Sequence, residues 1–181
     1  MEISADGIRL RPWKEEDAER LAVIANNKKI FDNLRDAFPH PYSLEDAKEF
    51  ISSVQTDDGR SKVFAIEVGG EVVGSIGVSL KSDVYRKNAE IGYYLAEEQW
   101  GKGIMTKSIR ALVRYLFANT DVIRIYAEPF ARNIGSRRAL EKAGFRLEAV
   151  LKSSVIKNNI IEDSCIYAVL KEEFEGGTMR T

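Results

Sequence analysis

In Tyr93-Tyr94-Leu95-Ala96-Glu97-Glu98-Gln99-Trp100-Gly101-Lys102-Gly103-Ile104-Met105 a β-rich run ends, a loop with two glycines follows, and an apolar-striped segment begins. Ile104, Met105, Ser108, Ile109, Leu112, Val113, Leu116 and Phe117 recur at helical spacing, so an amphipathic helix is expected after Gly103. A strand–loop–helix unit of this kind aims the helix's unpaired first N–H groups and its positive dipole end at one spot. Such a spot suits a phosphate or pyrophosphate, and the glycines let an anion approach the backbone. The plain alternative is a tight turn that starts a helix. Two common nucleotide motifs are absent. A Walker loop needs four residues between its glycines and then Lys-Ser/Thr, and Thr106 stands where the dinucleotide fingerprint needs its third glycine.

Outward from this unit, 8–11 reads as a short strand stopped by Pro12, and 17–26 as a helix with Asp17 as N-cap. Two prolines keep 38–42 out of a helix, and Ser43 with Asp46 resembles a capping box opening the next one. Runs 63–68 and 71–80 flank Gly69-Gly70, which is a hairpin signature. Segment 89–95 is the strand before the glycine loop, and 122–127 is the strand after the long helix. A helix from an Asn133 cap to Ala143 ends at Gly144. Strands 145–152 and 161–170 close the chain around an Asn158-Asn159 turn. The order β α α β β β α β α β β is mixed α/β, in one domain over 1–181 with a loose tail after about 174.

Composition narrows the chemistry. The 181 residues are 44% hydrophobic and 30% charged, with Lys+Arg 27 against Asp+Glu 28. That is the balance of a soluble globular domain, with no broad electrostatic reason to bind nucleic acid or a membrane. One cysteine, Cys165, excludes an internal disulfide and a multi-thiolate zinc site, so no metal is expected. One histidine, His40 between Pro39 and Pro41, argues against Ser-His-Asp catalysis. Met1-Glu2-Ile3-Ser4 shows no leader pattern, and no apolar run approaches membrane-spanning length, so the cytoplasm is expected.

In this setting the sequence resembles the GNAT acyltransferase superfamily, in its Rim-type ribosomal-protein N-terminal acetyltransferase branch. The family's phosphate loop reads Gln/Arg-x-x-Gly-x-Gly/Ala, and Trp100-Gly101-Lys102-Gly103-Ile104-Met105 matches it at Gly103 while departing at Trp100 and Met105. Asn133-Ile134-Gly135-Ser136 with Glu141-Lys142-Ala143-Gly144-Phe145, the Phe38–Tyr42 loop and the hairpin 158–167 resemble the same branch.

The resemblance implies a mostly antiparallel twisted sheet of about seven strands. Two central parallel strands, 89–95 and 122–127, would splay apart, with about four helices around the sheet. It implies acetyl-CoA as co-substrate. The pantetheine arm would lie near Leu95, the pyrophosphate on the amides of Trp100, Gly101, Lys102, Gly103, Ile104 and Met105, and Asn133 and Ser136 would touch the cofactor. The family's tyrosine acid is matched here by Glu141, so Ser136 is the replacement candidate for the thiolate's donor; a helix cap is the other reading. Glu90 is the candidate base, or else a structural carboxylate holding an amide or an arginine. Phe38, His40, Tyr42 and Tyr94 fall on the acceptor side, with stiffening of the proline-rich loop as the other reading of His40. Cys165 reads as a small core residue. The implied activity is acetyl transfer to a primary amine, a protein N-terminal α-amine first, with a small amine or a non-catalytic CoA sensor as alternatives. Many such relatives dimerise through their C-terminal strands.

Overall fold

The computed structural model describes residues 2–56 and 59–176. Its centre is an eight-stranded sheet in the order β1-β2-β3-β4-β5-β6-β8-β7. The strands are β1 (Ile3–Ala5), β2 (Ile8–Pro12), β3 (Ser61–Val68), β4 (Glu71–Leu80), β5 (Asn88–Leu95), β6 (Arg124–Ala127), β7 (Arg146–Lys157) and β8 (Ile160–Leu170). The helices are α1 (Ala18–Ala25), α2 (Lys28–Phe31), α3 (Leu44–Gln55), α4 (Ile104–Asn119), α5 (Ile134–Lys142) and α6 (Lys171–Gly176). Every neighbouring pair is antiparallel except β5 with β6. The expected mixed α/β architecture holds, and β1, the one-turn α2 and the terminal α6 add to it.

Local chemistry accounts for the element ends. Gly69 and Gly70 sit at φ 60° and 87°, and Asn158 and Asn159 at 52° and 62°. Two successive left-handed residues give the turn whose twist matches the strands it joins, and glycine and asparagine tolerate them best. Ser43 and Asp46 form the expected reciprocal cap of α3. Asp17 does not cap α1 with its side chain as expected. Its carboxylate instead accepts the Lys14 amide at 2.9 Å and two hydrogen bonds from buried Arg11, at 2.7 and 2.9 Å. A buried guanidinium is a stronger claimant than an exposed amide, because it loses more when unpaired. Val122 and Ile123 precede β6 rather than joining it. The expected loose tail is in part α6, whose Phe174 packs on Phe117 with ring centroids 5.7 Å apart; the rest lies outside the described residues.

Strand alternation sorts the side chains onto two faces. On one face, Ile91 and Leu95 of β5 join Ile109, Leu112, Val113 and Leu116 of α4 and Leu140 of α5 in the larger core. On the other, Ala65 of β3 packs with Trp13, Leu21, Ile51 and Tyr42 under α1 and α3, with Tyr94 against that cluster.

The feature that positions the site lies between β5 and β6. They pair only at Asn88↔Arg124, Ala89↔Ile125 and Glu90↔Tyr126. Beyond that point β5 stays with β4 as far as Gly74↔Leu95, while the chain after β6 turns toward β8. The Cys165 amide donates to the Pro129 carbonyl at 2.9 Å, and the Ala131 amide to Asp163 at 2.9 Å. Pro129 has no N–H to offer β5. A cleft therefore opens in mid-sheet along residues 91–95.

The Arg11 cluster gives the first prediction. Asp17→Ala leaves the Arg11 guanidinium buried with Glu67 and the Pro12 carbonyl. The loss read by urea unfolding should be about 3 kcal/mol. Burial raises the Asp17 carboxyl, and the hydrogen bonds from Arg11 and Lys14 outweigh it and hold it below its ordinary value. The hydrogen bond from Arg11 lowers Glu67 likewise. Their stabilisation is complete above the ordinary carboxylate pKa of about 4 and is lost as pH falls through the lowered values. The acid limb of the stability curve should be steep below about pH 4 and flatter in Asp17→Ala.

Candidate active site

The mouth of the cleft is the loop between β5 and α4. Gly101 and Gly103 adopt φ 77° and 76°, and a Cβ built on either would meet nothing within 4 Å. Gly103 caps α4 without any side chain to satisfy the helix's first amides. The N–H groups from Gly101 to Thr106 donate to no acceptor among the described residues. These are free donors beside open space at the positive end of a 16-residue helix, which is what an anion needs. The Trp100 indole donates to the Leu95 carbonyl at 2.7 Å, tying the loop to the end of β5, while the ring is 44% exposed. Lys102 reaches Gln99 at 3.1 Å on the surface. Ile104 is buried and Met105 half-buried, so those two side chains face the core while their amides face outward.

Asn133 and Ser136 stand at the start of α5. Asn133 caps the helix, its Oδ1 accepting the Ser136 amide at 3.2 Å, and its Nδ2 has no acceptor among the described residues. The amide group is thus half committed to the fold and half available to a ligand. The Ser136 hydroxyl is not used in capping and lies 2.9 Å from the Tyr93 hydroxyl. Arg137 is not free for a phosphate: it donates to Tyr167 at 3.1 Å and to the Ala131 carbonyl at 2.9 Å. Glu141 accepts the Tyr167 hydroxyl at 2.7 Å, which is a packing role. Cys165 is fully buried.

Glu90 lies at the vertex of the cleft. One carboxylate oxygen accepts Arg35 at 2.6 Å, and the other accepts Lys81 at 2.6 Å and the Tyr126 hydroxyl at 3.4 Å. Burial raises this carboxyl, but Lys81 and Arg35 outweigh it and hold it below its ordinary value. A carboxylate with both oxygens held by cations is a weak base and a good tether. Of the two readings of Glu90, the geometry favours the one that holds an arginine.

Sequence reasoning missed Glu128, the residue after β6, on the same sheet face as Glu90 and Tyr126. It is half-buried, one oxygen accepts the Ser164 hydroxyl at 2.7 Å, and among the described residues it forms no ion pair. The available signal was a carboxylate directly before Pro129 at the end of a central strand.

The four residues expected on the acceptor side fall in two groups. Phe38 packs on Tyr42 at 5.0 Å and edge-on to Tyr94 at 5.4 Å. Burial pushes the Tyr42 phenol up to about 12 and raises Tyr94 further. The buried Tyr94 hydroxyl has no hydrogen-bond partner among the described residues. His40 stands apart, stacked on Phe31 at 5.2 Å. Phe31 also carries the buried Lys157 ammonium 3.5 Å from its centroid, and Lys157 pairs with Asp36 at 2.8 Å. His40 therefore belongs to the strap that fastens residues 31–40 to the β7–β8 hairpin. Among the described residues, no group of three or more His, Cys, Asp and Glu is placed to hold a metal ion.

Comparison with known proteins follows the same lines. The family described as "Acetyltransferase (GNAT) domain" matches residues 8–146. "Probable N-acetyltransferase YjcK" of Bacillus subtilis is 30% identical over 93% of this chain and 96% of its own. "Putative ribosomal N-acetyltransferase YdaF" of Bacillus subtilis is 33% identical over 93% and 94%. Among solved structures, a RimL ribosomal L7/L12 α-N-protein acetyltransferase in complex with coenzyme A superposes with TM-score 0.85. It is 23% identical and covers 94% of this chain and 98% of that one.

The loop geometry predicts the result of Gly103→Ala. An alanine held at positive φ should cost about 1 kcal/mol of stability. Its methyl would occupy the open space beside the free amides. Affinity for coenzyme A as a pyrophosphate probe, followed by Trp100 fluorescence, should fall about tenfold.

Proposed function

The chain belongs to the GNAT acetyltransferase family, and from that premise we propose that its single domain acts in the cytoplasm and moves the acetyl group of acetyl-CoA to the α-amine of a protein N-terminus. The observation that carries the reading is the cleft itself. Free amides line its mouth, Glu128 stands on one face and Ser136 on the other. The curated relative named for ribosomal N-acetylation, YdaF, supports the acceptor.

Acetyl-CoA supplies an activated thioester. The loop residues Gly101 to Met105 hold its pyrophosphate through backbone N–H groups, and the Asn133 amide is free to hold the arm beyond. Trp100 keeps the loop registered on Leu95. Phe38, Tyr42 and Tyr94 form an apolar floor on the acceptor face, which disfavours a charged ammonium and favours the neutral amine that can attack. Glu128 removes the amine's proton with the oxygen that has no partner among the described residues, while Ser164 holds the other. Ser136 donates toward the departing sulfur from the opposite face. Glu90 acts as a positioning residue: it fastens Lys81, Tyr126 and Arg35 at the vertex, and so sets the angle at which the cleft opens.

A homodimer through the β7–β8 edge is part of the proposal. β7 is an edge strand, and Ile156, Ile160 and Ile161 are 66%, 61% and 64% exposed beside it. Sedimentation should give twice the monomer mass, and Ile161→Glu should return the monomer.

Thiol release from acetyl-CoA tests acceptor and base together. Peptides beginning with Ala, Ser or Met should turn over; spermidine, free amino acids and aminoglycosides should not. Turnover with small amines alone would overturn the N-terminal reading. With the best peptide, Glu128→Gln should lower kcat by at least about 100-fold, and Glu90→Gln by less than about tenfold.

A further inference from the structure

Ser136 has one proton to give, and its direction depends on what surrounds its oxygen. Within the described residues the only side chain hydrogen-bonded to that oxygen is Tyr93, at 2.9 Å. Tyr93 lies on β5 where the strand has parted from β6, on the face that packs toward α4 and α5. Its ring is anchored in the larger core, and its hydroxyl has no other partner among the described residues. Burial pushes the phenol well up, and the Ser136 contact offsets this only in part. Tyr93 therefore stays protonated across the working range.

From this geometry we propose that Tyr93 is a positioning residue for acetyl transfer, donating its hydroxyl to Ser136 Oγ and turning the Ser136 proton toward the sulfur in the cleft. The inference rests on Ser136 being the thiolate's donor. A phenol is the more acidic of the two hydroxyls and so the better donor in the pair. Once it donates, Ser136 Oγ is an acceptor on that side, and its own hydrogen must point elsewhere. Ser136 Oγ has no other hydrogen-bond partner among the described residues, which leaves its hydrogen for a group bound in the cleft. A donor chain of two hydroxyls also strengthens its terminal bond as negative charge gathers on the sulfur. The balance is simple: the C–S bond breaks, the new N–C bond forms, one proton moves from Ser136 to the sulfur, and the proton that Glu128 takes from the amine returns to Ser136 through solvent in the cleft. Tyr93 keeps its own proton throughout, because charge on a phenol in so buried a site is disfavoured; its effect is orientation.

A double-mutant cycle decides it, measured on the full chain with acetyl-CoA and its best acceptor, with melting curves to confirm folding. Ser136→Ala should lower kcat about 100-fold, and Tyr93→Phe about tenfold, both with the KM for acetyl-CoA unchanged. The double variant should be no slower than Ser136→Ala, because Tyr93 acts only through that hydroxyl. A purely structural Tyr93 would lower the melting temperature and leave kcat alone, or its effect would multiply with that of Ser136→Ala; either result overturns the inference while leaving the role of Ser136 standing. An unchanged kcat in Ser136→Ala overturns the donor reading itself, and this inference with it.

Discussion

Three residue pairs hold β5 against β6, and the molecule's chemistry depends on where they stop. A parallel pair that continued would close the sheet and leave no room for a ligand. Beyond Glu90 and Tyr126 each strand has a stronger commitment elsewhere. β5 continues with β4 for five further residue pairs, from Ile91 to Leu95. The chain after β6 is drawn to β8 by Pro129, Phe130 and Ala131. The cost of an unpaired strand edge in mid-sheet is offset by the larger core, which spans the divergence with Ile91 and Leu95 of β5 beside Ile125 and Ala127 of β6. Glu90 sits at the vertex, with Lys81 just after β4 and Arg35 from the loop after α2 on its two oxygens.

From that divergence follows a division of labour. Because side chains alternate along β5, Tyr93 and Tyr94 are neighbours in sequence and opposites in space. Tyr93 meets Ser136 on the α5 side, and Tyr94 meets Phe38 on the α3 side. In the proposed mechanism the residue that orients the leaving group's donor and part of the acceptor's floor are thus adjacent in the chain. The free amides of the glycine loop sit at the end of the same strand, so in the proposed function one element carries the cofactor end, the acid end and the acceptor end of the site. The strap made by Lys157, Asp36, Phe31, Asn158 and Asp32 fastens residues 31–36 to the β7–β8 hairpin, joining residues far apart in the chain.

Much of this was legible in the sequence because it is local. The glycine loop, the apolar stripe of α4, the Ser43–Asp46 cap, the Gly69-Gly70 hairpin and the Asn133 cap each depend on residues within a turn or two of one another. Their order along the chain was enough for the family resemblance, and with it the acetyl-CoA chemistry. The free amides of the loop follow from Gly103 alone, a residue that starts a helix at positive φ and offers no side chain to cap it.

Tertiary structure decided what depends on distant partners. Asp17 reads as a cap until buried Arg11 claims its carboxylate. Glu90 on β5 and Glu128 just after β6 are both carboxylates at the centre of the sheet, and only the fold shows that cations saturate one while a serine holds the other. His40 reads in the sequence as an acceptor-side residue or a stiffener of its loop, and only the fold shows it stacked on Phe31 in the strap. Tyr93 is one tyrosine of an adjacent pair until α5 brings Ser136 to its hydroxyl, 43 residues away. Spacing along a chain determines helices, turns and backbone donors; which charge or hydroxyl a side chain meets is determined by packing between elements remote in sequence.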